Sequence, residues 1–283
     1  MTKTQRNYKD TLFRMLFKEK EPLLSLYNAV NKTTYTNVEN LEITTLENAL
    51  YMNYKNDISF VFDFELMLYE HQSTVNPNLP LRNLIYVSKI LQGITRNKNI
   101  YSSTLIQLPT PRFVIFYNGT DQKPAQQILK LSDAYEKALD IPELELIITV
   151  YNINLGYNPE LLNTCHLLGE YAQYVEQVRN FARKLPLQTA VESAIDYCIQ
   201  NGYLADFLKK NRGEAIEMSI FEYDEEQHMK FIYQEGYDTG IIQGVIETYK
   251  ELGIPTDTAL QKLMKKMNLS QKDAEEYIKK YWK

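Results

Sequence analysis

Between Asp57 and Gln72 the chain reads DISFVFDFELMLYEHQ, two apolar stretches with only Phe64 between them. Apolar runs this short read as strands, Asp57 to Asp63 and Glu65 to Gln72. A tight antiparallel hairpin is their simplest arrangement. Alternate residues of a strand face the same side. Glu70 and Gln72 therefore point together, and His71 points to the opposite face.

Around this hairpin the spacing of apolar residues predicts the other elements. Tyr8, Leu12, Leu16, Leu23, Tyr27 and Val30 lie at helical intervals over Asn7 to Val30, with Pro22 breaking or kinking that helix. Asn37 to Asn48 reads as extended. After the turn-rich STVNPNLP, Leu81 to Ile100 reads as a helix with Leu84, Val87, Leu91 and Ile94 on its apolar side. Arg112 to Tyr117, closed by the turn signal Asn118-Gly119, and Glu143 to Ile153 read as buried strands. Strands, a long helix and further strands indicate an α/β architecture with a mixed central sheet.

Beyond Asn158 the pattern is helical to the end. Pro186 and Gly202 separate helices, a long segment from Arg212 to Leu252 stops at Gly253-Ile254-Pro255, and Thr256 to Trp282 reads as two short helices. Ser270 to Asp273 resembles a capping box with Asp in place of Glu. The expected organisation is a core over 1–157, helices over 158–211 completing or packing on it, and a helical C-terminal region over 212–283 serving as an oligomerisation or accessory segment.

Several classes of protein fit this sequence poorly. The lysines and arginines of the first twenty residues are followed by no uninterrupted apolar core, which reads against a signal peptide. No apolar run approaches the roughly 20 residues that span a bilayer. Cys165 and Cys198 are far apart, and with His71, His166 and His228 they match no zinc spacing. The expectation is a cytoplasmic protein with no membrane partner. The net charge of −5 is awkward for a DNA-binding chain, but acids dominate from Glu214 to Asp238, where Lys230 is the one base. Contact with DNA would rest on a local basic patch elsewhere.

The residues that can do chemistry lie on the hairpin. If its strands fold back, Asp57 comes to the end of the sheet that holds Glu70, so two carboxylates and the Gln72 amide converge. Two acids held close in a partly buried place repel each other and are neutralised by a proton or a cation. Mg2+, a hard ion that takes carboxylates, water and substrate phosphate, suits them, and Mn2+ would substitute. Such an ion lowers the pKa of an attacking water and stabilises the leaving oxygen of a phosphodiester.

KNDISF followed by YEHQS, then a helix containing Arg82, then VIFYNG, resembles the Rpn family of recombination-promoting nucleases and transposases within the PD-(D/E)xK nuclease superfamily. YKDTLFRMLF near the start and FEYDEEQHMKFIYQEGYDTG in the C-terminal part are similar to that family as well, so the resemblance runs from about Tyr8 to Gly244. It implies a restriction-endonuclease-like sheet flanked by helices and a Mg2+-dependent endonuclease acting on double-stranded DNA in recombination or transposition. It also implies Asp57 and Glu70 as metal ligands. Gln72 stands where the wider superfamily has lysine, as it does in many members of this branch. Without a positive charge, glutamine orients water or ligates through its carbonyl and leaves more of the electrostatic work to the ion.

Other residues carry weaker signals. Asp10 and Glu47 are candidate additional acids, against helix capping or solvation. Lys55 is a phosphate contact or a strand-edge lysine in water. Arg82, Lys89 and Arg96 are seven apart and share a helix face, which either contacts DNA or is simply solvated. Asp63 and Glu65 read as solvated turn residues. Gly236, Gly240 and Gly244 recur every four residues, a stripe that would let a second helix approach and so suggests a homo-oligomer. The competing reading of the whole chain is a catalytically inactive nuclease-like fold that binds DNA or protein without turnover.

Overall fold

In a computed structural model of the chain, residues 12–44, 58–267 and 269–282 are described, those of 223–239 and residue 272 by backbone alone. Asp10, Glu47, Lys55 and Asp57 lie outside the described residues. The chain divides into two compact units, Met1–Tyr223 and Asp224–Lys283. The division falls inside one long helix, twelve residues beyond the start of the C-terminal region expected at 212.

The first unit is built on the hairpin. β2 (Ile58–Phe62) pairs antiparallel with β3 (Glu65–Gln72), from Phe62 opposite Glu65 to Ile58 opposite Tyr69. Asp63 and Phe64 form the turn, both in the left-handed region at φ 48° and 63°. This is the pair of positive φ angles that a two-residue turn of type I′ requires. On its other edge β3 pairs in parallel with β4 (Thr110–Tyr117), which pairs in parallel with β6 (Ile147–Asn152). β1 (Glu42–Ile43) and β5 (Gln126–Lys130) run antiparallel at the two ends, giving six described strands in the order β1-β2-β3-β4-β6-β5. The sheet is mixed, as expected.

Helices cover both faces. Met67 and Tyr69 of β3, with Val114 and Phe116 of β4, join one core with α1 (Leu12–Leu16), α2 (Lys20–Asn31) and helices that follow the sheet. Those are α4 (Pro159–Thr164), α5 (His166–Ala182), α6 (Leu187–Gln200) and α7 (Ala205–Lys210). On the opposite face Leu66 and Leu68 pack against Tyr86, Val87 and Ile90 of α3 (Leu79–Thr95). The strand's period of two thus feeds two separate layers. Tyr69, Tyr86, Tyr117, Tyr171 and Tyr174 are fully buried and serve packing.

Three expectations need correction. The break between α1 and α2 falls before Pro22, which sits in the first turn of α2; there its missing N–H belongs to a group with no intrahelical partner anyway. α3 begins at Leu79, not Leu81, with Pro80 in its first turn and Leu79 fully buried. β6 starts at Ile147 rather than Glu143; just before it the Glu145 carboxylate accepts from the Ser132 N–H (3.1 Å) and hydroxyl (2.6 Å). Those bonds hold the acid below its ordinary carboxylate range.

In the second unit, the end of α8 (Arg212–Glu251) packs with α9 (Thr256–Met267) and α10 (Gln271–Tyr281) around Ile242, Ile246, Leu263, Ala274 and Ile278. Ser270 caps α10, its hydroxyl oxygen accepting from the Asp273 N–H at 3.2 Å. Only that half of the capping box forms: Asp273 is too short to reach back and instead accepts from the Ser270 hydroxyl at 2.6 Å.

Candidate functional site

Glu70 lies near the C-terminal end of β3, on the face that α3 covers. Leu66 and Leu68, two and four residues earlier, pack on Tyr86, Val87 and Ile90 of that helix. The same alternation brings Glu70 under the first turns of α3, and it is 1% exposed. A carboxylate this deep needs charge-assisted partners, and α3 supplies them. Asn83 Nδ2 donates to Glu70 Oε1 at 3.3 Å, Gln72 Nε2 donates to Oε2 at 3.4 Å, and an Arg82 guanidinium nitrogen stands 3.6 Å from Oε2. Arg82 is steadied by Tyr86, whose hydroxyl accepts from its Nε at 3.4 Å and from a terminal nitrogen at 3.3 Å. These three contacts are each longer than the 2.7–2.9 Å of a close charge-assisted bond.

Asn83 is fully buried. Its amide nitrogen also donates to the Leu79 carbonyl at 3.2 Å, which fixes the orientation of the group, since the reverse would set oxygen against two acceptors. Its Oδ1 is then a buried acceptor with no hydrogen-bond partner among the described residues. Such an atom costs about 1–3 kcal/mol when left unpaired, and a cation or an ordered water would relieve it. One buried carboxylate, a buried amide oxygen and the half-buried Gln72 amide are hard oxygen donors of the kind Mg2+ takes. Among the described residues no group of three His, Cys, Asp or Glu side chains is close enough to hold a metal, and Asp57 is outside them.

His71 faces the other way. Its Nε2 is 3.0 Å from the Tyr171 hydroxyl, and its ring stacks on Phe13 at 5.4 Å between centroids. The Tyr171 oxygen also accepts from Asn118 Nδ2 at 3.3 Å and shares one proton with His71 Nε2. Burial above all pushes His71 down to about 4, and the nearby Arg179 charge adds to this against an opposing contact from Asn118. His71 is a neutral core residue and is turned away from Glu70.

The structure brings Glu70, Gln72 and Arg82 together. Lys89 is half-buried further along α3, and Arg96 caps that helix, exposed. Asp63 and Glu65 are not merely solvated: Tyr35 donates to Asp63 at 2.5 Å, while Glu65 accepts from the Tyr27 hydroxyl at 2.9 Å and pairs with Arg112 at 3.0 Å. In α8 a Cβ added at Gly240 or Gly244 would meet nothing within 4 Å; Gly236 is described by backbone alone. Asn83 and Tyr86 were not anticipated from the sequence. A signal existed for the first: Leu79, Asn83, Tyr86 and Ile90 share the buried stripe of α3, so an amide stands where the helical pattern calls for an apolar residue. No protein-family model, curated protein or solved structure matches the chain.

Proposed function

We propose that this chain is a Mg2+-dependent endonuclease acting on double-stranded DNA, with a restriction-endonuclease-like core and Asp57 and Glu70 as the ligands of the ion. The supporting observation is the buried Glu70: an acid at the end of a strand inside a mixed sheet, contacted by Gln72, Arg82 and the amide nitrogen of Asn83, whose oxygen has no hydrogen-bond partner among the described residues. Ile58 pairs with Tyr69, and the residues next to that pair in sequence are Asp57 and Glu70. Bound there, Mg2+ or Mn2+ would supply an activated water and charge stabilisation at phosphorus.

The chain's own groups do the rest. Glu70 supplies a fixed negative charge from a dry wall. Asn83 holds that carboxylate in place through Oε1. Gln72, at the half-exposed rim, orients water through its carbonyl. Arg82 donates to phosphate oxygens, and Lys55 and Lys89 are further contacts to the DNA backbone. A cytoplasmic location, a role in recombination or transposition and self-association through the glycine stripe of α8 belong to the same reading; among the described residues no helix is long and apolar enough to cross a membrane.

The test is nicking or cleavage of plasmid DNA by pure protein with and without Mg2+. Asp57→Ala and Glu70→Gln are each expected to lower the rate by about a hundredfold or more; retention of activity by both would end the assignment. The second reading, a nuclease-like fold that binds without turnover, draws on Arg82 already neutralising Glu70 in part and on glutamine in place of lysine at position 72. DNA binding that needs no divalent ion and survives Asp57→Ala would favour it.

A further inference from the structure

We infer that Arg82 is a resident counter-ion for Glu70, one that a divalent cation displaces and that then serves the phosphate, so cation and DNA backbone bind in that order. This rests on the reading of Glu70 as a metal ligand.

The first observation is depth. The Glu70 side chain is 2% exposed and that of Arg82 is 30% exposed, so the guanidinium reaches from the rim toward an acid in the wall. A carboxylate in such a place demands positive charge nearby, and the guanidinium at 3.6 Å supplies it. The second observation is the form of this pair. A committed Arg–carboxylate pair is a fork of two short parallel bonds. Here one nitrogen stands beyond hydrogen-bond length from Oε2, while the guanidinium also donates to the Tyr86 hydroxyl and lies 6.0 Å from the Tyr86 ring centre. Tyr86 gives the guanidinium a resting place that does not depend on Glu70.

The third observation is competition. A divalent ion on Glu70 would put two like-signed charges within a few ångströms in a poorly solvated pocket, and the one on a flexible stem moves. Turned outward about its stem, Arg82 retains Tyr86 and presents its remaining donors to the mouth of the site, where the planar fork matches two phosphate oxygens. The arrangement makes a site with no ion a poor phosphate binder, because the Arg82 guanidinium is turned inward. Seven residues on, Lys89 sits too far along the helix to take over this exchange at Glu70.

The experiment is Mn2+ binding to the full chain at pH 8 without DNA, read by electron paramagnetic resonance, in the unaltered protein and in Arg82→Gln, Arg82→Lys and Glu70→Gln. Arg82→Gln removes the competitor and is expected to tighten Mn2+ about tenfold, or about 1.4 kcal/mol. Arg82→Lys keeps the charge and should stay within about threefold of the unaltered chain. Glu70→Gln should abolish binding. Equal or weaker binding by Arg82→Gln overturns the counter-ion role while leaving the metal reading intact. Failure of both the unaltered chain and Arg82→Gln to bind Mn2+ overturns the metal reading and this inference with it. Should Arg82→Gln not fold, 15N side-chain NMR of the unaltered chain, with the Arg82 signal assigned from Arg82→Lys, decides the matter. That Nε–H signal must shift in step with added Mg2+, and a signal that stays fixed while Mg2+ binds is the contrary result.

Discussion

His71 ties the stability of the first unit to pH in a way that can be worked out beforehand. In the folded chain its ring is buried between Phe13 and Tyr171 and held down to about 4; in the unfolded chain it titrates near its ordinary value of 6.5. The folded value is the lower one, so the unfolded chain binds the extra proton between the two. Stability from this group is complete above pH 6.5 and is lost as pH falls toward 4. From pH 7.5 to pH 5 the loss is about 2 kcal/mol by the linkage relation. The single tryptophan, Trp282, lies in the second unit, so its fluorescence is the wrong probe. Hydrogen exchange at the slowest amides of β3 and β4 reports opening of the correct unit. His71→Gln keeps a polar group toward Tyr171 and removes the titration. The unaltered chain should lose about 2 kcal/mol more than His71→Gln over this interval. Parallel pH dependence of the two, within about 0.5 kcal/mol, would show that the ring is already protonated or not truly buried.

Gly119→Ala should cost about 3 kcal/mol or more, since a Cβ there would lie 1.8 Å from the Ser73 carbonyl oxygen and 2.6 Å from the Tyr117 ring; thermal melting by circular dichroism measures it. Phe64→Gly should stabilise the first unit by about 1 kcal/mol, because Phe64 holds φ 63° while 87% exposed and gives up little packing. A drop in the same melt would mean that the Phe64 ring has a partner. Ser270→Ala removes the cap of α10 and should cost the second unit about 1 kcal/mol, which Trp282 fluorescence in a urea titration can follow.

The parts of this architecture that were legible in the sequence are those where burial imposes a period. The β2–β3 hairpin has apolar residues throughout and a turn too short for anything else, and Pro186 and Gly202 punctuate helices whose spacing is plain. β5 was missed because Gln126, Ile128 and Lys130 are exposed on an edge strand with a single covered face, a pattern shared with many loops. The site was half legible. Glu70, Gln72 and Arg82 stand out as charged or amide groups near apolar runs, whereas Asn83 acquires meaning only when the phase of α3 is set against that of β3. Tyr86 reads as one more aromatic of the helix until its hydroxyl is seen to hold Arg82. The fate of Asp63 and Glu65 was illegible for another reason: their partners, Tyr35, Tyr27 and Arg112, come from distant parts of the chain.

The two-residue turn after Phe62 leaves the hairpin without slack. Adding or deleting one residue between Phe62 and Glu70 would exchange the two sides of β3, turning Tyr69 toward α3 and swinging the acid into the aromatic layer beside Phe13 and Phe116. Length variation among chains built this way should therefore spare 58–72 and collect where no side is assigned, as in the exposed stretch 97–105 between α3 and β4. A library of single-residue insertions scored for soluble expression would draw that map directly.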